Sequence, residues 1–435
     1  MPLATRFRQR RIHYGWIVAA VTFVVLLSSA GVRATPSILI VPLEREFGWT
    51  RATISLAISI NLILYGLMGP FAATLMQRLG VRTTVLLSAA TLVTGVALTP
   101  LVRAPWQLVL LWGVVVGIGT GMTALVLGAT VVNRWFTERR GLVMGVLTAS
   151  TATGQLIFLP LLAAVVQRYG WRAATLLVAG AVSLVIPLVL LFMRERPEEV
   201  GLTRYGEPNS GTTSEGARAP TSAGALAALR QGGRSRDFWL LAGSFFICGA
   251  STNGLIGTHL IPACIDHGIP EVRAAGLLAV MGVFDFLGTT GSGWLSDRWN
   301  NRYLLSWYYG LRGLSLLFLP FALTHTALGL PLFAVFYGLD WIATVPPTVR
   351  LTSNAFGREN GPVMFGWIVA AHQLGAATAA YGAGALRTAL GGYVEAFTIA
   401  GVLCFLAALM VLGIGRQRSA RGLPAGQSVT VESFS

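Results

Sequence analysis

Long apolar runs separated by short polar breaks fill the chain between residues 15 and 415. There are twelve, at roughly 15–41, 53–76, 82–102, 106–132, 142–166, 173–193, 238–262, 274–296, 303–324, 329–352, 362–386 and 393–415. Each is close to the roughly 20 residues that a helix needs to cross a bilayer. None alternates apolar and polar positions in the manner of a barrel strand, so the runs predict helices, which satisfy their own backbone hydrogen bonds in lipid. One long polar stretch interrupts the series at 194–236, opening RERPEEVGLTRYGEPNSGTTSEGARAPTSAG. Rich in Gly, Ser, Thr, Pro and charge, it cannot bury a core and reads as a flexible linker. It divides the runs six and six. The expected organisation is an all-α membrane protein: an N-terminal six-helix half at 1–193, a cytoplasmic linker at 194–236, a C-terminal six-helix half at 237–418 and a cytoplasmic tail at 419–435.

The halves echo one another. LMQRLGVR closes the second run and LSDRWNNR the eighth, with Gln77 and Asp297 220 positions apart. RRGLVMG opens the fifth and ENGPVMFG the eleventh, with Gly141 and Gly361 again 220 apart. YGWRAATLLVAG opens the sixth and GGYVEAFTIAG the twelfth, with Trp171 and Tyr393 222 apart. A near-constant offset at three places marks an internal duplication. Two parallel six-helix halves on a linker is an architecture of secondary transporters.

Composition agrees with a membrane location. The chain is 54% hydrophobic and 11% charged, where a soluble domain carries about 25% charge. Its net charge of +15 comes from arginines alone, with no lysine. They cluster in alternate loops: Arg6, Arg8, Arg10 and Arg11; Arg78 and Arg82; Arg134, Arg139 and Arg140; Arg194, Arg196 and Arg204; Arg298 and Arg302; Arg358; and Arg416, Arg418 and Arg421. The intervening loops read as poor in arginine and hold Glu44, Glu46, Asp266, Glu271 and Glu395. This positive-inside pattern puts both termini and the linker in the cytoplasm and leaves no basic patch for nucleic acid. The N-terminal apolar run is longer than a signal-peptide core and reads as a retained anchor helix. Cys248, Cys264 and Cys404 lie in apolar runs without disulfide or metal spacing. No P-loop, nucleophile elbow or metal-ligand cluster occurs, so neither an enzyme nor ATP-driven transport is expected, and no cofactor or metal.

The pattern Gly-x-Leu-x-Asp-Arg stands complete after the eighth run as Gly293, Leu295, Asp297 and Arg298, followed by Arg302. After the second run it survives in part, with Ala73 for Gly and Gln77 for Asp beside Arg78, Gly80 and Arg82. This loop signature resembles that of the major facilitator superfamily. The segments YGW at 14–16, PLEREFGWTRATIS at 42–55, NRWFTERRGLVMG at 133–145, HLIPACIDHG at 259–268 and VFDFLGTTGSGWLSDR at 283–298 are similar to the monocarboxylate transporter family and its bacterial oxalate:formate antiporter-like relatives. The resemblance implies that Arg78, Gly293, Asp297, Arg298 and Arg302 form a conformational latch. Asp297 would accept hydrogen bonds at a helix N-terminus and pair with an arginine of a neighbouring helix.

Charged residues at bilayer depth cost at least about 2.5–3.5 kcal/mol each and so face a partner or a water-filled path. Asp285, Arg312 and Asp340 fall near the midpoints of the eighth, ninth and tenth runs. They read either as a buried ion network, with Arg312 bridging both carboxylates, or as proton-coupling groups. Arg33 lies in the outer half of the first run. Monocarboxylate transporters resemble the chain at Asp285 but carry an arginine for the substrate carboxylate where Thr289 stands, and a cation in the first span at the position of Pro36. Arg33, one turn away, is then an anion anchor, or else a gate or interhelical contact, with Thr289 only hydrogen-bonding. Asn61, Tyr65, Gln155, Asn253, His259, His372 and Gln373 are further polar positions that line the path or bond a neighbouring helix. Pro346 and Pro347 should break the tenth helix.

The expected function is secondary active transport of a small organic anion, a mono- or dicarboxylate, by alternating access, coupled to proton symport or anion exchange. The alternative is a proton-driven exporter of a lipophilic or drug-like compound. The expected setting is a multi-pass protein of the bacterial inner membrane, monomeric, with protons or a counter-anion as co-substrate.

Overall fold

A computed structural model describes residues 13–123, 125–207 and 222–415. The terminal arginine clusters at 6–11 and 416–421 and the tail at 419–435 lie outside the described residues. Six long helices build the N-terminal half: α1 (Tyr14–Phe47), α2 (Arg51–Arg78), α3 (Val81–Leu98), α4 (Pro105–Trp135), α5 (Arg140–Tyr169) and α6 (Trp171–Phe192). Six more build the other: α7 (Arg236–Asp266), α8 (Glu271–Ser296), α9 (Asn301–Thr324), α10 (Gly329–Gly357), α11 (Asn360–Leu390) and α12 (Val394–Leu412). Eleven are long and apolar enough to cross a membrane on composition alone. The exception is α9, whose apolar face is interrupted by Arg312 and several tyrosines.

The duplication is visible in the packing. In the first half α1 packs on α5, α2 on α4 and α3 on α6; in the second, α7 packs on α11, α8 on α10 and α9 on α12. Between the halves α2 meets α11 and α5 meets α8. The repeat operation that turns α2 into α8 and α11 into α5 exchanges these two seams. Small residues permit the close approaches. Gly113, Gly117 and Gly121 of α4 lie directly over Ala57, Asn61 and Tyr65 of α2. Gly66 of α2 receives the stem of Gln373 from α11.

Helix breaks fall where function is expected. α4 and α7 each contain a π-helical stretch, Val109–Val116 and Ala250–Ile256, a rare feature that is frequent at functional sites. α10 is interrupted between Asp340 and Val345, just before Pro346 and Pro347.

The linker corrects one expectation. Residues 194–207 are not loose but lie across the first half. Tyr205 packs on His13, Trp16 and Phe136 and exchanges backbone hydrogen bonds with Trp135 and Thr137. Tyr14 donates to the Phe192 carbonyl at 2.8 Å. The one aromatic in this stretch, Tyr205, supplies the burial that its average composition hides. Residues Ser222–Gly232 form a short helix that packs mainly on α11.

Candidate functional site

The N-terminal half contributes one arginine well inside an apolar helix among the described residues. Arg33 lies near the middle of α1 and is half-buried. The antiparallel α2 brings Tyr65 alongside. The Arg33 guanidinium stacks on the Tyr65 ring at 4.4 Å and donates from Nη1 to its hydroxyl at 3.2 Å. No carboxylate pairs with Arg33 among the described residues. A stacked guanidinium is held in orientation, and its remaining N–H groups suit the two oxygens of a carboxylate.

The charged residues of the other half serve the break in α10. The i−4 hydrogen bonds to Ile342 and Ala343 are lost there, because Pro346 and Pro347 have no N–H. Val345 N donates to Ile342 O at 2.9 Å instead, and Ser292 Oγ of α8 donates to Ala343 O at 2.5 Å. Arg312 is fully buried. It donates from Nη2 to the Asp340 and Trp341 carbonyls at 2.5 and 3.1 Å, and from Nε to the Asp340 carboxylate at 2.7 Å. From Nη1 it reaches Cys248 Sγ at 2.9 Å, beside the π-helical stretch of α7. Asp285 Oδ1 accepts the freed Ile342 N–H at 2.8 Å and the Thr289 hydroxyl at 3.0 Å. Arg312 therefore does not bridge the two carboxylates. It holds Asp340, while Asp285 is held by backbone and Thr289, and both converge on one broken turn. Asp340 Oδ1 is buried without a hydrogen-bond partner.

The remaining polar positions are spread over different tasks. Asn61 is buried and donates to Trp112 O at 2.8 Å, tying α2 to α4. Asn253 sits half-buried in the π-helical stretch of α7. His372 packs on Phe245 with the rings tilted and 4.8 Å apart, and its Nδ1 has no hydrogen-bond partner, as is true of the adjacent Gln373 Oε1. His259 is fully buried at one end of the bundle.

At the end of the bundle where the described chain begins and finishes (the termini end), the loop signature is closed within each half. Asp297 pairs with Arg350 of α10. It does not cap α9, where Asn300 Oδ1 takes that place and accepts Arg302 N at 3.1 Å. Arg298 lies over the Trp294 ring at 4.1 Å, and Arg302 donates to Ile414 O at 2.9 Å. Nothing packs within 4 Å of where a Gly293 side chain would start. In the degraded copy Arg78 is exposed, and the carboxylate missing at Gln77 is supplied by Glu195. That side chain accepts Val81 N and Arg82 N, both at 2.7 Å, at the N-terminus of α3 and pairs with Arg134 at 2.9 Å. Gly80, with φ +88°, gives it room, since any side chain there would strike the carboxylate. Glu195 was hidden in the polar stretch read as linker.

The opposite end (the far end) holds a cluster that the sequence did not single out. Its arginines are not few; Arg51, Arg172 and Arg387 are there, each paired to an acid. Arg51 of α2 is buried and bonds Glu44 at 2.9 Å, Asp266 of α7 at 2.6 and 2.8 Å, and the Tyr393 hydroxyl at 3.0 Å. Arg387 of α11 adds a third bond to Asp266 at 2.8 Å, and Ala52 N donates to Thr388 Oγ1 at 3.3 Å. These contacts join one half to the other. Their traces in the sequence are the duplicated aromatic at Trp171 and Tyr393 and the charges inside two family-like segments. In the first half Trp171 and Arg172 both bind Glu46, at 2.6 to 2.9 Å.

Residues 21–380 match the profile of the Major Facilitator Superfamily. The chain is 26% identical over 402 residues to an uncharacterized MFS-type transporter, YcxA, of Bacillus subtilis (strain 168), covering 91% of this chain and 94% of that one. It is 25% identical over 429 residues to monocarboxylate transporter 12 of Homo sapiens, covering 93% and 80%. Among solved structures, a bacterial homolog of the human lysosomal transporter Spinster in an inward-facing and occupied conformation superposes with a TM-score of 0.70 at 16% identity, over 95% of this chain and all of that one. The D-xylose-proton symporter does so with a TM-score of 0.70 at 15% identity, over 94% and 100%. The duplicated packing, the loop signature and these matches together make the chain a transporter of the Major Facilitator Superfamily.

Proposed function

We propose that the chain carries a small organic anion, a mono- or dicarboxylate, across a bacterial inner membrane by alternating access, coupled to a proton or to a counter-anion. The observation that carries this is Arg33: a half-buried guanidinium inside the first apolar helix, oriented by Tyr65 and unpaired with any carboxylate among the described residues. A cation so placed attracts an anion and disfavours a cation. The similarity to monocarboxylate transporters supports the same substrate class. The arginine-bearing loops of the termini end support a cytoplasmic assignment for that end. On that orientation the far-end cluster supports a state closed to the outside. Asp285 and Thr289 satisfy one another, so the anion's clamp is assigned to the first half alone.

The test is uptake of labelled mono- and dicarboxylates into proteoliposomes, with and without a pH gradient, by wild type and Arg33→Gln. Saturable uptake competed by carboxylates is expected. Loss of one charge-assisted contact should weaken apparent affinity about ten- to a hundredfold in Arg33→Gln. A well-folded variant with unchanged affinity would remove Arg33 from the site. Uptake of lipophilic compounds without any response to carboxylates would overturn the anion assignment.

A further inference from the structure

At the far end the contacts form a directed chain. His259 Nε2 lies 2.8 Å from the Ala380 carbonyl, which can only accept, so Nε2 carries the proton. The neutral ring then offers Nδ1 as an acceptor, 3.1 Å from the Tyr393 hydroxyl. Tyr393 in turn accepts from Arg51 Nη1 at 3.0 Å. Burial pushes the Tyr393 phenol up to about 12, outweighing the nearby Arg51, so it keeps its proton to donate. The polarity is complete: Arg51 gives to Tyr393, Tyr393 to His259, His259 to Ala380. Arg51 belongs to the first half, and the other three belong to the second.

We propose that His259 is the proton-sensitive element of this closure, so that proton uptake there from the far side releases Arg51 and lets the halves part at that end. A proton on Nδ1 turns that nitrogen into a donor aimed at the Tyr393 oxygen, which already receives Arg51. The phenol proton then loses its acceptor, and an imidazolium faces a guanidinium through one hydroxyl. Of the acids at this end, Glu271 at the start of α8 keeps one buried carboxylate oxygen without a partner, whereas those in contact with Arg51 are engaged. Asp266, two turns along α7, is bonded to Arg51 and Arg387, and Glu44 of α1 is bonded to Arg51. The inference rests on alternating access but not on the identity of the anion. It assigns a protonation event to the gate, remote from Asp285.

Spin labels at Tyr169→Cys and Leu328→Cys, exposed far-end positions of the two halves, report the separation by pulsed dipolar spectroscopy. Full-length protein in nanodiscs without substrate is used, and the three native cysteines are buried. Between about pH 8 and pH 5, the range over which histidines titrate, the open-to-closed ratio should rise about tenfold in wild type. His259→Gln, whose amide reproduces both hydrogen bonds without titrating, should stay closed throughout. Arg51→Gln should be open at every pH. A wild type that ignores pH while Arg51→Gln opens would overturn the role of His259 and leave alternating access standing. An unchanged pH response in His259→Gln would do the same. Distances that never move in any variant would sink the closure itself.

Discussion

Arg33 and Asp297 show how little a charge means without its partners. Arg33 is held by an aromatic face and a hydroxyl, so the two parts of that contact can be separated. Tyr65→Phe keeps the ring and removes one neutral hydrogen bond, of order 0.5–1.5 kcal/mol; a few-fold loss of apparent affinity is expected. Tyr65→Leu removes the stacking as well and should approach the Arg33→Gln result. Asp297 and Arg350 form an exposed pair at the termini end, far from Arg33. Asp297→Asn should therefore slow turnover without altering which carboxylates compete in uptake. A changed competition profile would show that the pair reaches the binding site. Arg33 was legible because it is the one charged residue inside, rather than at the edge of, an apolar run of the first half. Its stacking on Tyr65 was not, since that contact depends on the register of two antiparallel helices and not on either alone.

The broken α10 is the element on which the second half turns. Pro347 denies Ala343 its usual donor, and Ser292 Oγ takes over. Ser292→Ala leaves a buried carbonyl unpaired, which should cost about 1–3 kcal/mol. Pro347→Ala restores an N–H for the same carbonyl, so adding it to Ser292→Ala should recover part of the loss. Thermal unfolding of the single and double variants in detergent gives the coupling directly, and strictly additive effects would refute the substitution of one donor for the other. Arg312→Met is expected to be more severe, about 3–5 kcal/mol, because it strands Asp340 in a buried site. Pro346 and Pro347 announced the break. Which side chains would repair it was not announced, because Ser292, Asp285 and Arg312 come from two other helices.

At the scale of the whole molecule, the spans, the duplication and the second copy of the loop signature could be read from runs and offsets, which are local or periodic. The far-end closure could not. Its bonds join residues 215 and 342 positions apart, and Arg51 and Asp266 look singly like loop charges. Glu195 escaped for a related reason, lying in a stretch whose average polarity conceals one seated carboxylate. Glu195→Gln should slow transport as Asp297→Asn does, if the two halves use equivalent latches; normal turnover would mean that the N-terminal copy is structural only. The stretch 194–207 is fastened to the first half through Tyr205, and the helix Ser222–Gly232 lies mainly on α11 of the second. Each half thus holds one described portion of the connection, although the helix Ser222–Gly232 also touches α2. Severing the gene between those portions should yield a split protein: pieces 1–214 and 215–435, expressed separately, should find each other in the membrane and restore uptake. A cut at 196, which hands Tyr205 to the wrong piece, should reassemble poorly.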